Sequence, residues 1–283
     1  MNGLATIDFH GLPAIQIRAP DGACAIVTYH GAHIVSWIPA GGAEWIYLSE
    51  HSQFATAAPI RGGVPVVFPQ FATYGPLPHH GILRTRVWRL VEGKVHNGRA
   101  RVDFRSEDCD ETRDVWPHGF GVELAVEVAG NHLEIAMQVQ NTDGVRMLFN
   151  AALHTYLRIS DVRLIQLVGL HGTQYRDRTV GDKSVTDAAA VLTFENEIDR
   201  IYIDAPETVH VRDVHRSLII RSAGFRDLVV WNPGRAKAAT LPDMPADGYL
   251  RMLCVEAAAI ATPIVLHDKE RWIGTQTLVA SSS

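Results

Sequence analysis

Residues 121–140 read "GVELAVEVAGNHLEIAMQVQ", and their alternation decides the fold class. Val122, Leu124, Val126 and Val128 alternate with Glu123, Ala125 and Glu127. Beyond Gly130-Asn131 the pattern resumes, with Leu133, Ile135, Met137 and Val139 set against Glu134, Ala136, Gln138 and Gln140. A period of two sends one set to a core and the other to solvent, and the intervening pair is a turn signal. The stretch therefore reads as an antiparallel hairpin with one buried face. On either side of it, further short strands are expected at Cys24–Tyr29, Val87–Glu92, Arg99–Arg105, Thr208–Val211, Ser217–Arg221 and Asp227–Trp231. Capped helical patterns are nearly absent, and the best of them, Gly181–Ala190, is short. Many short strands separated by Gly, Pro, Asn and Asp imply an all-β chain, a large antiparallel β-sandwich. No linker, charge block or fixed-period repeat divides residues 1–283, so one domain is expected.

The bulk composition excludes several classes. With 283 residues, 47% hydrophobic and 20% charged, the chain supports a substantial core. A net charge of -5 gives no basic footprint for nucleic acid, so an anionic ligand would need a local arginine patch. Cys24, Cys109 and Cys254 are far apart and odd in number, with no CxxC pair. Neither a disulfide framework nor a cysteine zinc site is supported, and a reducing cytoplasm is the simplest compartment. The start "MNGLATIDFH" lacks the basic and apolar regions of a secretory signal. The longest apolar run, Val255–Leu266, is broken by Glu256 and Pro263 and is too short to span a bilayer, so a soluble chain without a membrane partner is expected.

Three stretches concentrate groups with chemistry. In "RMLFNAALHTYLRI", from Arg146, odd positions are apolar except Thr155, while even positions carry Arg146, Asn150, His154, Tyr156 and Arg158. As a strand this gives one core face and one row of hydrogen-bonding groups centred on His154, suited to a polyol. A lone strand histidine satisfied by its neighbours fits the same pattern. In "RMLCVEAAAI", from Arg251, Glu256 is the one charge between Met252 and Ile260, in a run apolar enough for a strand buried on both faces. Such a carboxylate is either paired with an arginine or raised in pKa at the bottom of a cleft as a general base.

The third stretch, "GPLPHHGILRTRVW" from Gly75, holds His79, His80, Arg84 and Arg86 in a proline-shaped loop ahead of a strand. A comparable loop, "IRGGVPVVFPQF", is bracketed by Arg61 and Gln70; alone it reads as a turn-rich connection with a surface arginine. Dinucleotide, P-loop and nucleophile-elbow motifs are missing. The pairs His210/His215 and His79/His80 point apart on an extended chain, so no metal site is expected.

Taken in order, "RGGVPVVFPQF", "PLPHHGILRTRVW", "FNAALHTYLRI", "FENEIDRIY", "VWNPG" and "PDMPADGYLRMLCVEAA" resemble the hexose-6-phosphate mutarotase branch of the aldose 1-epimerase superfamily. The resemblance spans nearly the whole chain and implies a galactose mutarotase-type β-sandwich. It places catalytic roles on His80, His154 and Glu256, and sugar binding on Asp199. It matches phosphate-associated arginines to Arg61 and Arg84, with Gln70 beside them on the substrate side. Where the family reads "HGFAR" this chain has "HGILR", which changes Ile82 and Leu83 but keeps the polar residues. His79 receives no role.

The implied reaction opens and recloses a hemiacetal. Glu256 takes the anomeric hydroxyl proton, His154 protonates the ring oxygen, and His80 assists or orients. No metal or redox cofactor is implied, the expected partner is a small hexose phosphate, and the chain is expected to be a monomer or weak dimer. Two other functions remain open: an aldose 1-epimerase of unphosphorylated sugars, and a non-catalytic carbohydrate-binding or sensor module. Convergence of Arg61 and Arg84 separates the first, and a buried general base argues against the second.

Overall fold

A computed structural model describes residues 3–56 and 58–282. The chain begins with β1 (Leu4–Phe9), β2 (Leu12–Arg18), β3 (Cys24–Thr28) and β4 (Ile34–Ile38), which form a four-stranded antiparallel sheet in sequence order. Next come β5 (Val66–Val67), β6 (Arg89–His96), β7 (Arg99–Glu107), the short helix α1 (Asp110–Val115), β8 (Phe120–Ala129) and β9 (His132–Asn141). The middle of the chain supplies β10 (Met147–Leu153), β11 (Tyr156–Arg158), β12 (Gln166–Val168), β13 (Gln174–Asp177), β14 (Lys183–Thr186) and β15 (Val191–Leu192). The last part gives β16 (Ile198–Tyr202), β17 (Thr208–Arg212), β18 (Arg216–Ala223), β19 (Asp227–Asn232), α2 (Gly234–Ala238), β20 (Met252–Leu266) and β21 (Arg271–Ser282).

Two large sheets make the sandwich. A nine-stranded sheet runs β15-β12-β17-β18-β21-β9-β8-β7-β6, and an eight-stranded sheet runs β14-β13-β16-β19-β20-β10-β5 with β11 also on β20. The hairpin read at Gly121–Gln140 is β8 and β9, in register from Phe120↔Asn141 to Ala129↔His132. Its alternating Val122, Leu124, Val126, Leu133, Ile135 and Met137 join Phe149, Leu153, Val255 and Ala257 of the other sheet in one apolar cluster. Polar contacts also cross that core: Thr155 Oγ1 lies 2.5 Å from Gln276 Oε1, and Gln276 Nε2 donates to Val255 O at 3.1 Å. Both side chains are fully buried, so each needs a partner there.

The antiparallel sandwich follows from strand parity as read, but three local expectations change. The Gly181–Ala190 segment is no helix: β14 pairs with β13 there, after a left-handed Gly181 with φ 75°. Edge pairing overrides its weak helical pattern. The strand expected at Val87–Glu92 begins at Arg89, because the Trp88 N–H is already donated to Tyr29 O at 2.8 Å. Finally, the run from Arg146 to Ile159 is two strands, interrupted at His154 and Thr155. The His154 N–H leaves the ladder for Pro65 O at 3.0 Å. Parity survives the break, since Met147, Phe149, Ala151, Leu153, Leu157 and Ile159 are all buried.

The opposite face of the eight-stranded sheet carries the site. Its register sets Asp199 opposite Trp231, Trp231 opposite Cys254, and Cys254 opposite Tyr156. In the neighbouring row Val229 lies opposite Glu256. The loop after β5 covers one side of this face through Phe71 and Ala72, and α2 with Met244 covers the other. Among the described residues no helix is long and apolar enough to cross a membrane.

Candidate active site

Glu256 sits in the first half of β20 with 1% of its surface exposed, flanked by apolar side chains that give it no cation. Its Oε1 lies 3.3 Å from His154 Nε2, while its Oε2 is buried with no hydrogen-bond partner. Burial pushes the carboxyl well above the usual range, reinforced by the charge of Asp199 and opposed by Arg178. His154 is 8% exposed and stacks on Tyr156 with centroids 4.8 Å apart. Burial holds its imidazole well below its ordinary value, helped by the charges of Arg61 and Arg84. Its Nδ1 also lacks a partner. Burial thus disfavours charge on both partners of this 3.3 Å contact.

His80 comes from the proline-shaped loop, in a left-handed conformation with φ 64° followed by Gly81 at φ 78°. Such a conformation is uncommon for a histidine and persists where surrounding contacts hold it. Here they are visible: His80 N donates to Ala72 O at 3.1 Å, and Ala72 N donates to His80 Nδ1 at 3.3 Å. Because Nδ1 accepts, the ring proton belongs on Nε2, which makes His80 a neutral donor. Burial lowers its pKa, with His154, His79, Arg84 and Arg178 adding to the shift. Its ring centroid is 5.2 Å from that of His154.

These side chains line a cleft with two lobes. One, of about 210 Å³, is bounded by Glu256, His154, His80, Asp199, Arg178 and Trp231. The other, of about 110 Å³, is bounded by Arg61, Arg84, His79, Tyr156 and Asp243. Arg61, His79, His80 and His154 border both. Asp199 in the first lobe receives Arg178 Nη1 at 3.2 Å, and burial raises its pKa against the pull of Arg178. Arg178 is itself stacked over Phe71 and Tyr74 at 5.6 and 5.5 Å.

The second lobe is cationic, unevenly so. Arg61 is framed by Ser49 and Ser52 and donates to Asp243 at 3.1 Å and to Tyr156 Oη at 3.1 Å. Burial alone would lower its pKa, but Tyr156 and Asp243 raise it beyond the ordinary value. Arg84 donates to His79 O at 2.8 Å and, among the described residues, has no carboxylate within ion-pair distance. Burial lowers its pKa and repulsion from Arg61 adds to this, against the opposing pull of Tyr156 and Asp243, so Arg84 is a half-buried cation without a direct carboxylate partner.

Six of the seven residues expected from sequence therefore converge on one cleft: Arg61, His80, Arg84, His154, Asp199 and Glu256. Gln70 does not join them. Its amide donates to Ala72 O and Leu77 O at 3.0 Å and accepts from Leu77 N at 2.9 Å, so it organises the His80 loop. Sequence reasoning missed Arg178, Lys237 and Asp243, which arrive from turns and a short helix without periodic signal. Trp231 and Asp243 carried a signal of another kind, since they lie in the "VWNPG" and "PDMPADGYLRMLCVEAA" stretches.

A buried carboxyl–imidazole contact beside a polar cleft on this sandwich fits the sugar epimerase class, and the comparisons give the family. Residues 13–278 match the aldose 1-epimerase family, and the chain belongs to it. A relative from Cenchrus ciliaris, named "putative glucose-6-phosphate 1-epimerase", is 32% identical over 286 residues, covering 96% of this chain and 86% of its own. A protein of the same name from Escherichia coli K12 is 32% identical over 255 residues, covering 88% of this chain and 85% of its own. The crystal structure of a "putative mutarotase" from Salmonella typhimurium superposes with TM-score 0.91 at 27% identity, covering 99% of this chain and 94% of that one.

Proposed function

We propose that this chain interconverts the α and β anomers of a hexose 6-phosphate, with the sugar ring in the larger lobe and the phosphate in the smaller. The observation that carries the catalytic part is the unpartnered Glu256 Oε2 beside the His154–Glu256 contact. A buried carboxylate oxygen without a donor is costly, and the anomeric hydroxyl would supply that donor. Moving one proton across 3.3 Å converts the neutral acid–imidazole pair to carboxylate and imidazolium. Glu256 then takes the proton of the C1 hydroxyl while His154 gives one to the ring oxygen. The C1–O5 bond breaks, the aldehyde turns about C1–C2, and the same two groups reverse their roles on closure. His80, a neutral N–H donor, orients the ring oxygen, and Asp199 with Arg178 holds hydroxyls at the far side. Each placed acid or base supplies on the order of 10²- to 10⁴-fold. A sugar-binding module would have no need of this pair.

The phosphate assignment rests on Arg84. A phosphate monoester carries about −1.5 to −2 charges near neutral pH and would offset both the desolvation of Arg84 and its repulsion from Arg61. One observation favours the second reading, a free-sugar epimerase: Asp243 already neutralises Arg61. Arg84→Ala separates them. Hydrogen bonds to charged groups contribute roughly 1.5 to 3 kcal/mol, so kcat/KM for glucose 6-phosphate should fall about ten- to a hundredfold while that for glucose stays low and unchanged. A parallel fall on both sugars, or an initial preference for glucose, would replace this substrate with the free sugar. A charged substrate and three unpaired thiols fit action in the cytoplasm.

A further inference from the structure

Behind the His154–Glu256 pair lies a side chain that the acid–base chemistry does not use. Cys254 precedes Glu256 by two residues on β20, so both project from the same sheet face. Its thiol is fully buried and unpaired, between Tyr156 on one neighbouring strand and Trp231 on the other. One ligand atom from each of His154, Cys254 and Glu256 lies within 4.8 Å of the others. Two further polar atoms of this trio, Glu256 Oε2 and His154 Nδ1, are buried without partners.

We infer that His154, Cys254 and Glu256 form a binding site for a thiophilic divalent cation, Zn²⁺ or its analogue Co²⁺, and that its occupancy blocks the epimerase chemistry. Imidazole, thiolate and carboxylate are all zinc ligands, and three of them leave a fourth position open toward the cleft. Metal–ligand bonds of about 2.0–2.3 Å require the triangle to tighten by roughly 1 Å, within the reach of side-chain rotation. One thiolate and one carboxylate neutralise the ion in a site where net charge is costly, and the thiolate selects zinc or cobalt over magnesium or calcium. Coordination releases the thiol proton, and any proton on the carboxyl, to solvent; no electrons are exchanged. The ion takes the lone pairs that the acid and base need, so it competes with the sugar.

The binding half of this inference stands on the cluster alone; the blocking half rests on the proposed epimerase activity. Cobalt titration of the metal-free protein should give a thiolate-to-cobalt charge-transfer band saturating at one equivalent. The band should vanish in Cys254→Ala and persist in Cys109→Ala. With free zinc set by a chelator buffer, Zn²⁺ should inhibit anomer exchange competitively with the sugar phosphate, and Mg²⁺ should not. Cys254→Ala should keep the parent's basal exchange yet need at least about tenfold more zinc, since losing even an outer-shell partner of a metal costs about 10- to 100-fold in affinity. If that variant fails to fold by circular dichroism, Cys254→Ser serves in its place. Absence of the band, or a band that survives loss of Cys254, overturns the site. A band at one equivalent without inhibition overturns the blocking role only. A protein without exchange activity would fail the proposed function while leaving the cobalt result decisive.

Discussion

At the scale of single residues, buried histidines with lowered pKa values tie function and stability to pH. His33 is fully enclosed and donates from Nε2 to Gly62 O at 2.8 Å. Burial lowers its pKa from 6.5 to about 3, aided by His30 and Arg84 and opposed by the Gly62 bond. Its protonation therefore favours the unfolded chain. The stabilising contribution is complete above pH 6.5 and is lost as pH falls toward 3. Over that window a single site accounts for at most roughly 5 kcal/mol. His33→Gln should be less stable at pH 7 but show a shallower loss between pH 6.5 and 4, read from urea midpoints. Parallel pH profiles in parent and variant would remove His33 from the account. Glu256 was legible at this scale because one charge in an apolar run must be explained. His154 was ambiguous until its contact with Glu256 was known, since periodicity cannot report what faces a side chain.

Among elements, the strands were readable and the loops were not, for a physical reason. A strand with one buried face imposes a period of two on its residues, as β8 and β9 show. The loop holding His80 imposes no period; it is built from backbone bonds to Gln70, from the His80–Ala72 exchange and from left-handed residues. Gln70 was placed with the substrate groups because its role in the loop has no sequence period. The turn at Gly81 gives a test. A Cβ there would lie 2.1 Å from Phe68 O, and φ is +78°. Gly81→Ala must shift the loop that aims His80, at a strain of about 1–3 kcal/mol. Thermal unfolding should show that loss, and anomer exchange should fall further than the Tm shift explains. Unchanged exchange in a destabilised Gly81→Ala protein would mean that His80 is not held for catalysis.

In the whole molecule, the site depends on a sandwich whose eight-stranded sheet uses both faces. The inner face makes the core with β8, β9 and β21, and the outer face holds the cleft between the Phe71 loop and α2. Sheet order brings Asp199, Glu256 and His154 together from β16, β20 and the end of β10, although 102 residues separate His154 from Glu256 along the chain. That order is a property of long-range pairing, so the sequence pattern supported the sandwich without fixing which strands adjoin. Arg178, Lys237 and Asp243 belong to the same class of unreadable contacts. The central claim is that Glu256 and His154 move protons on a sugar held in this cleft. The direct measurement is magnetisation exchange between the α and β anomeric protons of glucose 6-phosphate, with parent protein and with Glu256→Gln. The amide keeps the shape of the side chain and cannot accept the proton. The parent should exchange the anomers well above the spontaneous rate, and folded Glu256→Gln should lose on the order of 10²-fold or more of that enhancement. Equal exchange by the two folded proteins would contradict the account.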